Sequence, residues 1–297
     1  MSKRRNNLTA NESPLRYPGG KSRIAGFVAD MIVQSGIQSP IYIEPFAGGA
    51  GVALSLLYAG VVDEIVINDY DKAIYSVWRA ILTETKKFIK LIEETPVTIE
   101  EWRKQKAVYT NQNKKYSLEL GFATFFLNRT NRSGVLNAGP IGGFDQKGNY
   151  KIDVRFNKLR LIEKIKRIAS YKQKIHLYNH DIRTFATAFL PKYLDRAFIY
   201  FDPPYYQKGE CLYKNFFNSR DHQEIHDIIV GINAPWIVTY DNVDAIKQLY
   251  AAQTGWLFNI TYSVANSGKN TEVIYVSDVR LLDKNKHASQ LGLQQLH

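Results

Sequence analysis

The stretch that decides the fold reads Ala197-Phe198-Ile199-Tyr200-Phe201-Asp202-Pro203-Pro204-Tyr205. Its first five residues are apolar and mostly β-branched or aromatic, which is typical of a buried strand. The two prolines lack the N–H donors that a sheet requires, so the strand has to end at Asp202. Open α/β sheets bind ligands at the carboxyl ends of their strands. Taken alone, the stretch favours a plain turn with a capping aspartate over a ligand-binding site. The rest of the chain decides between these two interpretations.

Six further strands are predicted, and helical patterns separate most of them. This alternation predicts an α/β fold whose largely parallel sheet is covered by helices on both faces. The last two strands are joined by residues 265–270 only, and such a short link requires an antiparallel hairpin. The six strands are 41–44, 64–68, 175–179, 236–240, 257–264 and 271–277.

The charge of the chain is strongly positive and is concentrated in one segment. The formal net charge is +11, and residues 83–172 hold 19 Lys and Arg against 9 Asp and Glu, a net +10. Such an excess indicates a polyanion or an anionic membrane as the partner. No apolar run is long enough to span a membrane, and residues 1–12 do not resemble a signal peptide, so we expect a cytoplasmic protein.

Cysteine and histidine usage points away from a disulfide and from a metal. Cys211 is the only cysteine, which excludes an internal disulfide and a cysteine-rich metal site. His222 and His226 have the i, i+4 spacing of metal ligands, but no third ligand motif stands near them. We therefore expect a solvated helix face at these histidines and no bound metal.

Two glycine-rich turns stand where a nucleotide-like ligand would need them. Ala47-Gly48-Gly49-Ala50-Gly51 lies between a predicted strand and a helix, and glycines there let a ligand approach the backbone. Asp69 ends the next strand, where an acidic side chain commonly accepts hydrogen bonds from ribose hydroxyls. Upstream, Gly19-Gly20-Lys21 opens a helix and suits an anionic or carboxylate group. The pattern indicates an adenosine-containing cofactor; a glycine turn and a capping aspartate are the alternative.

The basic segment contains a polar loop that suits nucleic acid. Arg and Asn side chains make bidentate contacts to guanine and adenine, whereas Lys and Ser suit phosphates. The alternative is that these side chains hold an irregular loop together through backbone hydrogen bonds, and for an individual residue the sequence favours neither interpretation. Residues 145–149 have the composition of a turn that closes a hairpin. The loop runs Asn128-Arg129-Thr130-Asn131-Arg132-Ser133-Gly134 and then Leu136-Asn137-Ala138-Gly139-Pro140-Ile141-Gly142-Gly143.

Together these motifs resemble S-adenosylmethionine-dependent DNA methyltransferases that act on adenine-N6, and their order is that of the Dam-like branch with alpha-type motif order. The resemblance rests on residues 16–21, Phe46-Ala47-Gly48-Gly49, Asp69, Asn128-Arg129 and Asp202-Pro203-Pro204-Tyr205, and it covers about residues 14–280. The chain departs from the family pattern at Tyr17, often Trp, and at Ala50, usually Gly.

The resemblance implies a Rossmann-like, seven-stranded methyltransferase sheet with an antiparallel last strand. It implies a discontinuous catalytic domain over residues 14–82 and 173–282, with a mostly helical target-recognition domain inserted at 83–172. The implied cofactor is S-adenosylmethionine and the implied partner is duplex DNA, with a cognate restriction endonuclease as a further possible partner. We expect a monomer.

The resemblance also implies the site residues. The catalytic residues would be Asp202, Pro203, Pro204 and Tyr205. The cofactor pocket would be lined by Tyr17, Lys21, Glu44, Phe46, Gly48, Asp69, Asp181 and Asp202, although Asp181 is equally well explained as a loop cap. The DNA-binding residues would be Arg16, Asn128, Arg129, Asn131, Arg132, Ser133, Asn137 and Lys147.

The chemistry of adenine-N6 explains why such a tetrapeptide would suffice. The amine is a poor nucleophile, so catalysis needs positioning rather than a strong base. Asp202 and the Pro203 carbonyl would each accept one hydrogen from the amine. The base has to be flipped out of the duplex, and Tyr205 would stack on it. We expect residues 207–217, which are basic and aromatic, to become ordered over the flipped nucleotide.

Two alternatives remain open at the level of the sequence. The first is a methyltransferase of the same fold that acts on RNA or on protein glutamine, and a cytosine-specific enzyme is a weaker variant of it. The second, from another class, is a non-catalytic DNA-binding module. Aspartate at position 202 and the basic insert favour DNA, and the intact motifs at Lys21, Asp69 and residues 202–205 argue against a protein that has lost catalysis.

Overall fold

The structure is a computed structural model, and it describes residues 8, 12–16, 21–111, 116–207, 217–260 and 270–296. Its described part has α/β architecture with one central sheet, which confirms the predicted fold class. The strands are β1 Ile41–Glu44, β2 Glu64–Asn68, β3 Ile175–Tyr178, β4 Ala197–Phe201, β5 Trp236–Asp241, β6 Gly255–Ile260, β7 Asn270–Val276 and β8 Gln294–Gln295.

The strand order creates a crevice at the middle of the sheet. The order is β3-β2-β1-β4-β5-β7-β6-β8, and the first five strands in space run parallel. From β1 the chain continues toward one edge, whereas β4 leads toward the other. The carboxyl ends of β1 and β4 therefore flank a topological switch point, the place where α/β sheets bind ligands.

Burial on both faces explains why the central strands read as continuous apolar runs. Every residue of β1 and β4 is buried. Tyr42, Phe198 and Tyr200 belong to the core on one face, while Ile43 and Ile199 belong to the core on the other. This two-sided packing fixes the register, with Ile43 opposite Ile199, and therefore the position of Asp202 at the end of β4.

The antiparallel part of the sheet is confirmed, but the sheet is larger than predicted. β7 lies between β5 and β6 and runs antiparallel to both. The prediction of seven strands was wrong by one, because the C-terminal tail, residues 279–296, contributes the short strand β8, which pairs with β6. Leu281 and Leu291 of this tail are buried in the core, which anchors it.

Helices cover both faces of the sheet. Side-chain caps begin several of them: Asp71 accepts from the Ala73 amide, Ser117 from Leu120 and Asn157 from Arg160. None of the described helices is long and apolar enough to cross a bilayer. The helices are α1 Ala25–Gln34, α2 Gly51–Ala59, α3 Lys72–Thr83, α4 Thr85–Glu94, α5 Ile99–Thr110, α6 Leu118–Thr130, α7 Lys158–Ser170, α8 Ile182–Thr184, α9 Ser219–Val230 and α10 Asp244–Leu249.

The basic insert is helical, as predicted, and its core continues that of the sheet. α6 packs closely on α3, because Gly121 has no side chain: a Cβ at this position would lie 2.6 Å from the Ser76 carbonyl oxygen. Trp78 of α3 and Phe125 of α6 are both fully buried in one cluster. The division of the chain at residues 83 and 172 stays a prediction.

The solvated helix face expected at His222 and His226 is wrong for His222, which is 1% exposed and packs against the rings of Tyr206 and Tyr240.

The predicted hairpin at residues 145–149 does not form. The chain makes successive turns there instead of paired strands. The Gln146 side chain holds these turns together in place of hydrogen bonds between strands. It donates to the carbonyls of Ile141 and Gly143 and accepts from the Ile152 amide at 2.8 Å.

Candidate active site

A buried ion-pair cluster lies at the switch point. The Lys21 ammonium is 3.2 Å from Asp202 Oδ1 and is also paired with Glu272 on β7. The side chains of Lys21 and Glu272 are 4% and 2% exposed. Burial lowers the pKa of Lys21, but the two carboxylates outweigh this effect and raise the pKa above its usual value. The amine is therefore held as a cation between two carboxylates.

Asp202 carries the group that faces the crevice. Its side chain is 30% exposed, and Oδ1 accepts from Lys21 and, at 2.9 Å, from the Thr239 hydroxyl. Burial raises the pKa of Asp202, Glu272 adds to the increase and Lys21 opposes it. Thr239 is held in turn by the Tyr200 hydroxyl at 2.9 Å. Both strands beside Asp202 thus fix the orientation of its carboxylate.

Two acceptors at this strand end are unused within the described part of the chain. No described residue donates a hydrogen bond to Asp202 Oδ2 or to the Pro203 carbonyl oxygen. The proline pair fixes φ on both residues and so limits where the carbonyl can point. A planar group with two N–H donors would complement such a pair of acceptors.

Tyr205 and the following backbone are anchored by two acidic residues. The Tyr205 hydroxyl donates to Glu272 Oε1 at 2.5 Å, and Lys21 Nζ lies 5.6 Å from the centre of its ring. Asp241, opposite Glu272 in the β5–β7 pair, accepts from the amides of Tyr206 at 2.8 Å and Gln207 at 3.0 Å. The Tyr205 residue is 6% exposed. The loop after β4 is therefore tied to β5 and β7.

The glycine turn after β1 is tied to Asp69. Asp69 accepts from the amides of Gly48 and Asp71, both at 2.8 Å. Burial, with the nearby Asp71 charge, raises the pKa of Asp69 to about 7. Gly48 has φ +47°, and Ala50 adopts the left-handed region at φ +46°, where the family pattern has glycine. Each Asp69 oxygen retains a lone pair for a further donor such as a hydroxyl.

Glu44 and Phe46 border the same turn from β1. Glu44 is buried, and its carboxylate accepts from the Ala53 amide at 3.1 Å, so it satisfies the first turn of α2. Burial raises the pKa of Glu44 to about 8. Phe46 is half-buried and makes an edge contact with Phe217. Glu44 thus supports the turn from inside.

Asp181 has the geometry of a cap, which is the alternative that the sequence offered for this residue. It precedes α8 and accepts from the amides of Arg183 and Thr184 and from the Thr184 hydroxyl at 2.6 Å. Despite partial burial, these hydrogen bonds lower its pKa. Asp181 lies at the end of β3, two strands away from β1. Its role in cofactor binding stays a prediction.

Two of the three asparagines of the polar loop, Asn128 and Asn131, are structural in this conformation. Asn128 is 1% exposed; its Oδ1 accepts from the Arg16 amide, and its Nδ2 donates to the carbonyls of Arg16 and Gly134. Asn131 is fully buried and bonds Trp102 and two loop carbonyls. All their amide groups are engaged inside the protein, so neither is placed to read a base.

The other predicted DNA-binding residues lie nearer the surface. Ser133, with φ +54°, is half-buried, and Gly134 gives the backbone of Arg16 room, since a Cβ there would lie 2.5 Å from the Arg16 carbonyl oxygen. Exposed aromatic rings at Phe144 and Tyr150 flank Lys147 in sequence. The exposed residues are Arg132, Asn137 and Lys147.

A cluster of five cations was not predicted as a unit; we refer to it as the cationic cluster. Hydrogen bonds to backbone carbonyls hold two of its side chains in place. Arg129 donates twice to the Arg155 carbonyl, and Arg16 donates to the Asn131 carbonyl at 2.9 Å. Among the described residues, no carboxylate pairs with any of its arginines. The members are Arg16, Arg129, Arg155, Arg160 and Lys164.

Mutual repulsion marks the cluster electrostatically. Burial, followed by repulsion from Arg16, Arg155 and Arg160, lowers the pKa of Arg129 to about 10. Burial and the charges of Arg129 and Arg160 lower the pKa of Lys164 to about 8. Such a concentration of positive charge favours the binding of an anion.

Some predicted positions lie outside the described residues. These are Tyr17 of the cofactor pocket and residues 208–216 of the segment expected to cover the nucleotide. Within the site, Glu272, Thr239 and Asp241 were missed. A glutamate inside the apolar strand 271–277 was the signal that would have singled out Glu272, because a charge in a buried strand is uncommon unless it is paired.

A family model and one relative match most of this chain. A family model described as D12 class N6 adenine-specific DNA methyltransferase matches residues 17–266. The type II methyltransferase M.MjaIII of Methanocaldococcus jannaschii is 24% identical over 205 residues, which cover 64% of this chain and 68% of that protein.

Two solved structures are similar over most of their length but only at low scores. The rRNA methyltransferase AviRa from Streptomyces viridochromogenes has a TM-score of 0.34 at 12% identity, covering 85% of this chain and 84% of that one. Protein LPL1258 from Legionella pneumophila has a TM-score of 0.32 at 11% identity, covering 89% and 92%. At these scores neither structure informs the fold or the function of this chain.

Proposed function

Because the chain belongs to the D12 class N6 adenine-specific DNA methyltransferase family, we propose that it methylates the exocyclic N6 of an adenine flipped out of duplex DNA, with S-adenosylmethionine as the methyl donor. The observation that carries the proposal is a pair of acceptors to which no described residue donates, Asp202 Oδ2 and the Pro203 carbonyl oxygen. An exocyclic amine has the two N–H donors that complement them.

The residues around the glycine turn suit the cofactor. The lone pairs of Asp69 that remain after it binds Gly48 and Asp71 fit ribose hydroxyls. Lys21, Asp202 and Glu272 together carry one net negative charge, which suits a sulfonium cation. When bound, the cofactor supplies an electrophilic methyl group. Tyr17, Lys21, Glu44, Phe46, Gly48, Asp69 and Asp181 are the residues proposed to hold it.

The protein's own groups do the positioning. By accepting both hydrogens of the amine, Asp202 and the Pro203 carbonyl would turn its nitrogen lone pair out of conjugation with the ring. Pro204 keeps this turn rigid. Tyr205 supplies an aromatic ring for stacking on the flipped base, and the anchors at Glu272 and Asp241 fix where that ring stands.

The DNA-binding surface we propose differs from the one predicted from the sequence. Arg16, Arg129, Arg132, Ser133, Asn137 and Lys147 stay in it, and Arg155, Arg160 and Lys164 of the cationic cluster join it. The cluster suits phosphate groups, because guanidinium groups bind phosphate oxygens in a bidentate manner. Asn128 and Asn131 would support this surface from within.

The proposal is tested by following the methyl group. Purified protein is incubated with S-adenosylmethionine labelled in its methyl group together with unmethylated duplex DNA, total RNA or a protein extract, each separately. We expect label in the duplex DNA. Label confined to RNA or to protein would support the same-fold alternative and overturn the proposal, and label in none of the three would support a non-catalytic DNA-binding module.

A further inference from the structure

Glu272 occupies a position from which it controls two groups of the proposed reaction. It is 1% exposed, on β7, and pairs with Lys21 and accepts from the Tyr205 hydroxyl. β7 runs antiparallel beside β5, which carries Thr239 and Asp241. Both the ammonium beside Asp202 and the ring proposed for base stacking are thus attached to one carboxylate.

The distances show how Lys21 is divided between the two acids. Its ammonium lies closer to Glu272 than to Asp202, which it approaches at 3.2 Å. An ammonium that bound Asp202 alone would engage the carboxylate more tightly and draw electron density from Oδ2, the oxygen without a described partner. A second anion that shares the ammonium prevents this.

We propose that Glu272 is a positioning residue for methyl transfer: it holds Lys21 partly away from Asp202 and fixes Tyr205, so that Asp202 Oδ2 stays available to the substrate amine. This inference rests on the proposed function. Glu272 does not touch the reacting atoms and acts through Lys21 and Tyr205.

Other ionisable groups also face Asp202, and a change in their charge could affect the pH dependence that is assigned to Asp202. Glu44 and Tyr42 face it from β1, Tyr200 from β4 and Tyr240 from β5. Burial raises the pKa of each of these groups, so the tyrosines stay neutral in the working range and Glu44 stays largely neutral below about pH 8. Glu272 is therefore the neighbouring carboxylate whose charge bears most directly on Asp202.

The test compares the wild type with Glu272→Gln, which keeps the size of the side chain and removes its charge. We expect kcat to fall by about tenfold or more, since hydrogen bonds to charged groups are lost, while KM for DNA changes by less than about threefold. Removal of one negative charge lowers the pKa of Asp202, so the acid limb of the kcat/KM profile should move to lower pH.

A purely structural role would lower the thermal stability but leave kcat unchanged at a temperature where the variant is folded. Glu272→Asp should recover part of kcat, because it restores the charge. If the Gln variant does not fold, Tyr205→Phe removes one contact from the other side, and we expect its kcat to fall while its acid limb stays where it is.

The outcomes separate this inference from the proposed function. An active wild type whose Gln variant keeps both kcat and its acid limb would overturn the role of Glu272 alone. If Gln cannot be measured, a Tyr205→Phe variant with wild-type kcat would overturn it. A wild type that methylates no DNA would instead overturn the proposed function.

Discussion

Lys21 and Asp202 form an ion pair of 3.2 Å at the carboxyl end of β4, and the lysine side chain is 4% exposed. The helix that follows Lys21 and the strand that precedes Asp202 are far apart in the chain, and the fold brings them to the switch point between β1 and β4. The pair links Lys21, one of the residues proposed to hold the cofactor, to the acid proposed to hold the amine. The expected outcomes below follow from this arrangement.

Removal of charge from the cationic cluster should weaken DNA binding without changing sequence preference. For Arg155→Ala and Arg160→Ala we expect the slope of log K against log salt to decrease by about one each, because each contact to phosphate releases counterions. Fluorescence anisotropy with a labelled duplex over a salt series measures this. The control is Lys90→Ala, an exposed cation paired with Glu94 on α4. Slopes that equal the control's would place the cluster outside the interface.

Substitutions at Asn128 and Arg132 should have different effects, the first on protein stability and the second on DNA binding. Asn128→Ala leaves the Arg16 amide and two carbonyls without their partner, and we expect a loss of stability on the order of 3 kcal/mol. Arg132→Ala at an exposed position should change stability by less than about 0.5 kcal/mol and lower DNA affinity. Urea denaturation and binding titrations measure both. Wild-type stability of the Asn128 variant would contradict the structural role.

Cofactor affinity should depend on pH through Asp69. Its pKa is raised to about 7 by burial, and the ionised form is the acceptor for hydroxyl groups. Protonation below pH 7 should therefore weaken binding, by about tenfold between pH 8 and pH 6. Calorimetric titration with S-adenosylhomocysteine measures this. Asp69→Asn should bind more weakly and show no such dependence; an equal dependence in the variant would assign the effect to another group.

The buried Glu44 should make the wild type less stable at alkaline pH. Its pKa is about 8 in the folded protein against an ordinary 4.5, so its contribution is present below pH 4.5 and is lost as the pH rises through 8. One pKa unit corresponds to about 1.4 kcal/mol. The free energy of unfolding of Glu44→Gln, relative to that of the wild type, should therefore increase by an amount on the order of 3–5 kcal/mol between pH 5 and pH 9.

Urea denaturation at both pH values measures the effect of Glu44, in the absence of cofactor. Glu93→Gln, at an exposed position on α4, is the matched control and should show no such gain. Parallel pH profiles of the Glu44 variant and the wild type would show that this carboxyl titrates normally.

Buried strands could be predicted from the sequence with accurate bounds. β1, β2 and β4 have the predicted bounds, because two-sided burial makes their interior positions apolar and Asp202-Pro203 cannot extend a ladder. β8 was missed because a two-residue strand in a polar tail has no periodicity to detect. Its pairing depends on Leu281 and Leu291 reaching the core.

The site was only partly predictable, for a similar reason. Lys21, Asp69 and Asp202 occur in motifs, but Glu272 takes part through β7, which pairs with β5 at long range, and no motif surrounds it. The sequence also could not separate structural from base-reading residues in the polar loop, since both Asn128 and Arg132 are residue types that bind bases. Their burial, which depends on how residues 12–16 pack on α6, separates them.

The central claim is that Asp202 presents an adenine amine for methylation, and nucleoside mass spectrometry of treated DNA tests it most directly. Unmethylated duplex DNA is incubated with S-adenosylmethionine and either the wild type or Asp202→Ala, digested to nucleosides and analysed. We expect N6-methyladenine with the wild type and a loss of at least about 10²–10³-fold in rate with the variant, while folding and the binding of cofactor and DNA stay largely intact. Methylcytosine as the product, no methylated base at all, or a variant as active as the wild type would contradict the account.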